Sequence, residues 1–323
     1  MKKTIKIFFV DFWAGFDPKD NFFIKRLELY YTVILDSKPD YLFYSLNGTE
    51  NIKYSNCIKI YFSGENDVPN FNLCDYALSF HYITFADRHF RFPLYNLYKC
   101  FEQVTHSELN SNDFSVFLNR KFCNFLVSNS TGADPMREQF FKKLCEYKKV
   151  DSGGRFLNNI GDSVPDKFEF IKSYKFTIAF ENSSASGYTT EKLIEPFAAR
   201  SIPLYWGDPD VHLDFNKKAF ICVSDFENID DAIKEIIRLD TDDQAYIKML
   251  SESCFAPGQK NQREWIDSFD TYICNIINQP IISAKRCTEY GYAKFYIKNN
   301  YIMSKIGSLP ILKYFIRKLS YQS

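Results

Sequence analysis

The stretch from Tyr174 to Gly207, YKFTIAFENSSASGYTTEKLIEPFAARSIPLYWG, gathers the chain's densest set of residues able to do chemistry. An apolar run leads into the polar loop Glu181 to Thr190, then into a helix whose first turn carries Glu191 and Lys192. A helix start presents free N–H groups and partial positive charge, and so receives phosphates; a lysine there strengthens the site. On spacing alone the pair also fits a solvated Glu–Lys couple. Pro196 breaks a backbone bond inside this helix, so a kink or a short first turn is expected. Asp208-Pro209-Asp210 has the spacing of a carboxylate pair that holds a divalent ion at a diphosphate. It follows Tyr205-Trp206-Gly207 at a strand end, however, and proline between the carboxylates suits a turn. We expect cationic side chains, not a metal, to neutralise the phosphates.

Two series of strands and helices can position these groups. In the first, Ile5 to Phe12 reads as a buried strand, and Phe22, Phe23, Leu27, Tyr30 and Tyr31 follow at helical spacing. Tyr41 to Ser45, Ile58 to Ser63 and Tyr76 to Phe80 continue as strands. The second series starts after the polar stretch Asn110 to Asn119. Phe122 to Ser128 is strand-like, and Pro135 opens a helix to Lys148 with Met136, Phe140, Phe141 and Leu144 on one face. Phe176 to Phe180, Ile202 to Trp206 and Ala219 to Val223 are further strands. Asn228 can cap a helix striped by Ile229, Ala232, Ile233, Ile236 and Ile237, and another helix spans about Asp242 to Ser253. Strands alternating with helices predict parallel, doubly wound sheets. The α/β pattern therefore predicts two Rossmann-like domains facing across a cleft, over residues 1–119 and 120–284, with a basic helical tail over 285–323.

The pattern YKF-x-I-x-FEN-x5-GY-x-TEK…IPLYWG resembles the signature of the α1,3/α1,4-fucosyltransferases, inverting enzymes of GT-B fold. Tyr61 to Pro93, YFSGENDVPNFNLCDYALSFHYITFADRHFRFP, is similar to the acceptor-domain segment of bacterial members, and Lys149 to Gly161, KVDSGGRFLNNIG, to their loop before the donor motif. The likeness spans roughly residues 5 to 275. It implies transfer of L-fucose from GDP-β-L-fucose to a hydroxyl of an N-acetyllactosamine-type glycan, O3 of GlcNAc for example, by single displacement and without a cofactor. Such a step needs a base for the acceptor proton and stabilisation of an oxocarbenium-like sugar and departing GDP.

By motif match Glu65, in Ser63-Gly64-Glu65-Asn66, is the candidate base; without the resemblance it reads as a turn-capping acid. Lys192 is implied as the pyrophosphate ligand with Arg155 as its partner, although related sequences place their arginine where Leu157 stands. Glu191 is implied to face the fucose or the developing positive charge. Asn182 and Tyr188 fall where the family holds the donor, and Ser128 and Asn129 are candidate neighbours of the nucleotide. Arg137 could reach the phosphates, or sit on a helix surface. Two other readings stay open: a GT-B enzyme using another nucleotide sugar, and an inactive glycan-binding homologue.

Composition excludes several classes. With 46% apolar and 25% charged residues the chain is globular, and its zero net charge gives no ground for nucleic acid as a partner. Nine scattered cysteines without a C-x-x-C pair and four dispersed histidines give no zinc pattern and suggest reduced thiols. Lys6 and Asp11 break the apolar run a signal peptide needs, and no run approaches the ~18 apolar residues of a membrane span. A cytoplasmic, bacterial protein is expected. Residues 285–323 carry eight Lys or Arg against Glu289 alone, interleaved with aromatic and aliphatic residues such as Tyr314, Phe315, Ile316 and Leu319. A basic amphipathic helix of this kind can lie on an anionic membrane surface or pack on the body.

Overall fold

A computed structural model of the chain describes residues 2–106, 114–128, 132–162, 164–288 and 290–307. Asn129 and the tail residues Tyr314, Phe315, Ile316 and Leu319 lie outside them. The chain divides into two compact units: Met1–Ser79, Ile83–Arg91 and Asp267–Ser323 form one, Phe80–Tyr82 and Phe92–Ile266 the other. The expected boundary at 119/120 thus falls inside the second unit, and the chain from Asp267 rejoins the first.

The first unit holds six parallel strands: β1 (Thr4–Val10), β2 (Thr32–Leu35), β3 (Tyr41–Tyr44), β4 (Ile58–Phe62), β5 (Tyr76–Ser79) and β6 (His89–Arg91), ordered β2-β1-β3-β4-β5-β6. β3, β4 and β5 are buried along their whole length, which is why, Lys59 and Ser79 apart, they read as apolar runs rather than alternating ones. Their core is aromatic: Phe9 stacks on Phe43 at 5.3 Å, and Phe23 meets Phe62 edge-on at 5.2 Å. Phe23 arrives on the helix Phe22–Tyr30, whose start is fixed by the Asn21 side chain accepting the Ile24 N–H at 3.0 Å.

The helix Gln262–Asn278 carries the chain back to this unit, with Phe269, Ile273, Ile276 and Ile277 buried and Asp270 accepting from Arg26 and Tyr30. Beyond it, Lys285, Arg286 and Cys287 are tied down by the buried carboxylate of Asp75. That carboxylate accepts the backbone N–H groups of Arg286 at 2.8 Å and Cys287 at 2.7 Å and lies 3.6 Å from Lys285 Nζ. The tail expected from 285 therefore starts inside the first unit. Further on, the helix Tyr292–Gly307 has Tyr292, Phe295 and Met303 exposed.

The second unit has five parallel strands: β7 (Lys121–Phe125), β8 (Val150–Ser152), β9 (Tyr174–Phe180), β10 (Ile202–Trp206) and β11 (Ile221–Cys222), ordered β11-β10-β9-β7-β8. Central β9 is buried at all seven positions. The helix Met136–Tyr147 covers the sheet with Phe140, Phe141 and Leu144, and Ile229–Thr241, capped by Asn228, covers it with Ala232, Ile233, Ile236 and Leu239. The parallel, doubly wound arrangement expected from the alternation is present in both units.

Candidate active site

The carboxyl ends of β7 and β9 and the start of the helix Glu191–Ala198 meet at a cavity of about 640 Å³ in the second unit. Carboxyl ends of parallel strands are where ligands bind in open α/β sheets. Its lining includes Ser128, Arg137, Arg155, Asn182, Glu191 and Lys192, six of the residues singled out from the sequence, together with Lys167. Glycine shapes one wall: a Cβ on Gly154 would lie 1.9 Å from the carbonyl oxygen of Val127, so only glycine lets the 153–156 loop lie against the β7 end.

Lys192 is held by what surrounds its helix start. Thr190 caps the helix, and Lys192 Nζ donates to Thr190 Oγ1 at 3.0 Å and to Glu181 Oε2 at 3.1 Å, with Glu191 Oε1 at 3.4 Å. Burial opposes its charge, but the Glu181 and Glu191 carboxylates outweigh that and hold its pKa above the usual lysine value. Glu181 is wholly buried and also accepts the Thr190 N–H at 2.8 Å, so one carboxylate fixes both the cap and the lysine; burial pushes its pKa up. Burial pushes Glu191 the same way. Lys192, Lys167 and the Tyr98 hydroxyl prevail, however, and keep it below the ordinary carboxylate range. Glu191 is thus anionic at neutral pH.

Arg137 is the main departure from a surface-helix reading. It is 1% exposed, and one terminal nitrogen donates to the Phe180 carbonyl at 2.7 Å and to Asn182 Oδ1 at 2.6 Å. Its Nε and other terminal nitrogen have no hydrogen-bond partner among the described residues. Buried donors left open at a cavity wall suit an anionic ligand. Arg155 lines the same cavity and is exposed. Leu157, in the same loop, has a left-handed backbone with φ 55°.

Tyr188 is buried against Phe80 at a ring distance of 5.0 Å and does not line the cavity. It follows Gly187, where φ is 82° and a Cβ would lie 2.5 Å from the Phe80 carbonyl oxygen. Asp208 closes this loop, accepting from Gly187 N at 2.8 Å, Asp210 N at 2.8 Å and Thr189 Oγ1 at 3.1 Å. These bonds make Asp208 a clasp for the donor-motif loop, and its partner Asp210 accepts from Ser186. Pro196 sits inside the helix, which runs through it to Ala198. Glu65 belongs to the first unit, in the exposed loop after β4, where Ser63 Oγ bonds its backbone N–H at 3.1 Å and carbonyl at 2.9 Å.

Glu181, Tyr98, Lys167 and Asp208 were not expected to support the site. Glu181 had a signal, its place in Phe-Glu-Asn at the end of a buried strand. Tyr98 and Lys167 had none.

The comparison with protein families decides the assignment. Residues 118–285 match the C-terminal model of glycosyltransferase family 10 (fucosyltransferase), and residues 7–98 match the N-terminal domain model of α-(1,3)-fucosyltransferase FucT. The chain belongs to glycosyltransferase family 10. It is 35% identical over 292 residues to the Helicobacter pylori α-(1,3)-fucosyltransferase FucT, a match covering 77% of this chain and 60% of that protein's length. A crystal structure of an α1,3-fucosyltransferase superposes with a TM-score of 0.75 at 30% identity, covering 87% of this chain and 92% of the other. The same type of enzyme with GDP-fucose gives 0.70 at 30% identity, covering 84% and 91%. The two parallel sheets of this family 10 chain are thus those of the GT-B fucosyltransferases. Among its described residues no helix is long and apolar enough to cross a membrane.

Proposed function

We propose that this chain transfers L-fucose from GDP-β-L-fucose, with inversion, to a hydroxyl of an N-acetyllactosamine-type glycan, O3 of GlcNAc in the simplest case. The observation that carries the reading is the cation-lined cavity at the carboxyl ends of β7 and β9, with Lys192 fixed in a first helical turn and buried Arg137 donors unspent. The family supports a fucosyl donor, and a relative's structure with GDP-fucose supports the nucleotide.

In this proposal Lys192 and Arg137 receive the diphosphate, with Arg155 reaching it from the exposed rim, while Ser128, Asn129 and Asn182 border the nucleotide. Tyr188 acts from behind, shaping the loop. The C1–O bond to GDP breaks with its electron pair leaving on the phosphate, where the cations stabilise it. Anionic Glu191 stabilises positive charge developing on the sugar. Glu65 takes the proton of the attacking hydroxyl.

No cofactor is needed for this step, and the Asp208 oxygens are engaged by the loop. Contact with an anionic membrane surface is proposed for the helix Tyr292–Gly307, where Lys294, Lys298 and Lys305 accompany exposed Tyr292, Phe295 and Met303.

The test is a donor and acceptor panel. GDP-fucose, GDP-mannose and UDP-sugars are offered with N-acetyllactosamine, and the linkage of any product is determined. Fucosylation of the GlcNAc with GDP-fucose alone supports the proposal. Preference for another nucleotide sugar, or binding of glycan without turnover, would replace it.

A further inference from the structure

Away from the cavity, the second unit brings together an imidazole, a thiol and a carboxylate. His212 stands on the short turn Val211–Leu213 after β10, Cys222 ends β11, and Asp225 closes the single turn Val223–Asp225 that follows. One ligand atom from each lies within 4.8 Å of the others. His212 Nε2 is 2.8 Å from Asp225 Oδ2, and His212 Nδ1 is buried with no hydrogen-bond partner among the described residues. We propose that His212, Cys222 and Asp225 form a binding site for a borderline-soft divalent transition metal, Zn²⁺ first among them.

The donor set is the first argument. One nitrogen, one sulfur and one oxygen suit Zn²⁺ and Co²⁺, whereas Mg²⁺ and Ca²⁺ take oxygen ligands. Three protein ligands leave a fourth, tetrahedral position for water.

Geometry is the second. Bonds of ~2.0–2.3 Å in a tetrahedron put ligand atoms roughly 3.3–3.7 Å apart, so the three atoms need shifts of about 1 Å or less. Seating the metal opens the His212–Asp225 contact slightly and draws in the thiolate. The backbone already holds the residues in place: Cys222 pairs with Tyr205 in the sheet, and the Val223–Asp225 turn folds Asp225 back over it. The His212 ring packs on Phe220 at 5.7 Å, which limits its rotation.

Chemistry is the third. The ligand form of Cys222 is the thiolate, so a metal competes with the proton for this sulfur. A metal takes the thiolate and releases the proton to solvent, which makes binding steeply pH-dependent. The Asp208-x-Asp210 pair does not compete, because Asp208 is spent on Gly187, Thr189 and Asp210. A metal at 212, 222 and 225 would act as a staple between the turn after β10 and the end of β11.

The test needs neither donor nor acceptor, so it stands apart from the proposed transferase activity. Full-length protein kept reduced with a phosphine is titrated with Co²⁺ in the absence of nucleotide. The expected result is a saturable thiolate-to-Co²⁺ charge-transfer band, displaced by Zn²⁺. Cys222→Ala, which leaves the other eight cysteines in place, should abolish the band, and Asp225→Asn, at an exposed position, should weaken binding at least ~10-fold. Circular dichroism establishes that each variant is folded. Absence of a saturable band in the wild type, or a band that survives in folded Cys222→Ala, overturns the site.

Discussion

Buried carboxylates do different work in the two units. In the first, Asp75 holds the chain itself, gathering Lys59 N, Arg286 N, Cys287 N and Lys285 Nζ from two segments. In the second, Glu181 holds a side chain, presenting Lys192 to a cavity. The first arrangement spends all its charge on itself. The second leaves buried donors open, the Nε and one terminal nitrogen of Arg137, beside the paired Lys192 at the same cavity. Glu65 stands apart from both, exposed on a loop whose backbone Ser63 bonds. Preorganised cations suit a leaving group whose charge appears at a fixed place. An exposed carboxylate suits a base that meets a separately arriving hydroxyl.

The contrast can be broken at several points. The largest effect is expected at Glu65. Glu65→Gln keeps size and removes basicity, so transfer should fall about 10²–10⁴-fold. A rate within a few-fold of wild type would remove Glu65 from the reaction.

Next comes the Asp75 clasp. Deleting 285–323 strips a buried carboxylate of three of its four partners, leaving Lys59 N, and should cost about 3 kcal/mol of stability. Deleting 290–323 leaves Lys285, Arg286 and Cys287 in place and should cost little. Denaturant melts of the two truncations give the comparison; equal stability would show that Asp75 does not hold the segment.

The shorter deletion also serves the membrane question. Basic residues near an anionic surface contribute about 1 kcal/mol each, screened by salt. Loss of 290–323 should therefore reduce cosedimentation with anionic vesicles at low salt while transfer to a soluble disaccharide continues. Unchanged vesicle binding would place any membrane contact elsewhere.

The smallest effect is expected from chelation: EDTA should leave most of the transfer rate in place. Complete loss, restored only by Mn²⁺ or Mg²⁺, would return Asp208 and Asp210 to consideration as metal ligands.

How far the sequence could be read follows the same divide. Long apolar strands such as β9 and capped helices such as Ile229–Thr241 announce themselves by pattern. β2 at the sheet edge, with four residues mostly exposed, and β8, with three, carry too little pattern to see. Lys192 was legible because a helix start after a strand is a local feature.

Arg137 was only half legible. It shares a helix with Glu138, Lys142 and Lys143, which look like a solvated face, and only folding sets it beside the Phe180 carbonyl and Asn182. The tail was half legible too. Its basic composition from Lys285 onward suits a membrane surface or packing on the body alike, and the residue that anchors its start, Asp75, lies 210 positions earlier in the numbering. Contacts of that range leave no local mark.

The central claim is that the second unit's preformed cations receive the diphosphate while Glu65 serves only the acceptor. Calorimetric titration of GDP into wild type, Lys192→Ala and Glu65→Gln tests it most directly. Losing a charge-assisted partner should weaken GDP binding by on the order of 2 kcal/mol, roughly 30-fold, in Lys192→Ala, while Glu65→Gln binds as wild type does. Unchanged affinity in Lys192→Ala, or an equal loss in Glu65→Gln, would contradict the account.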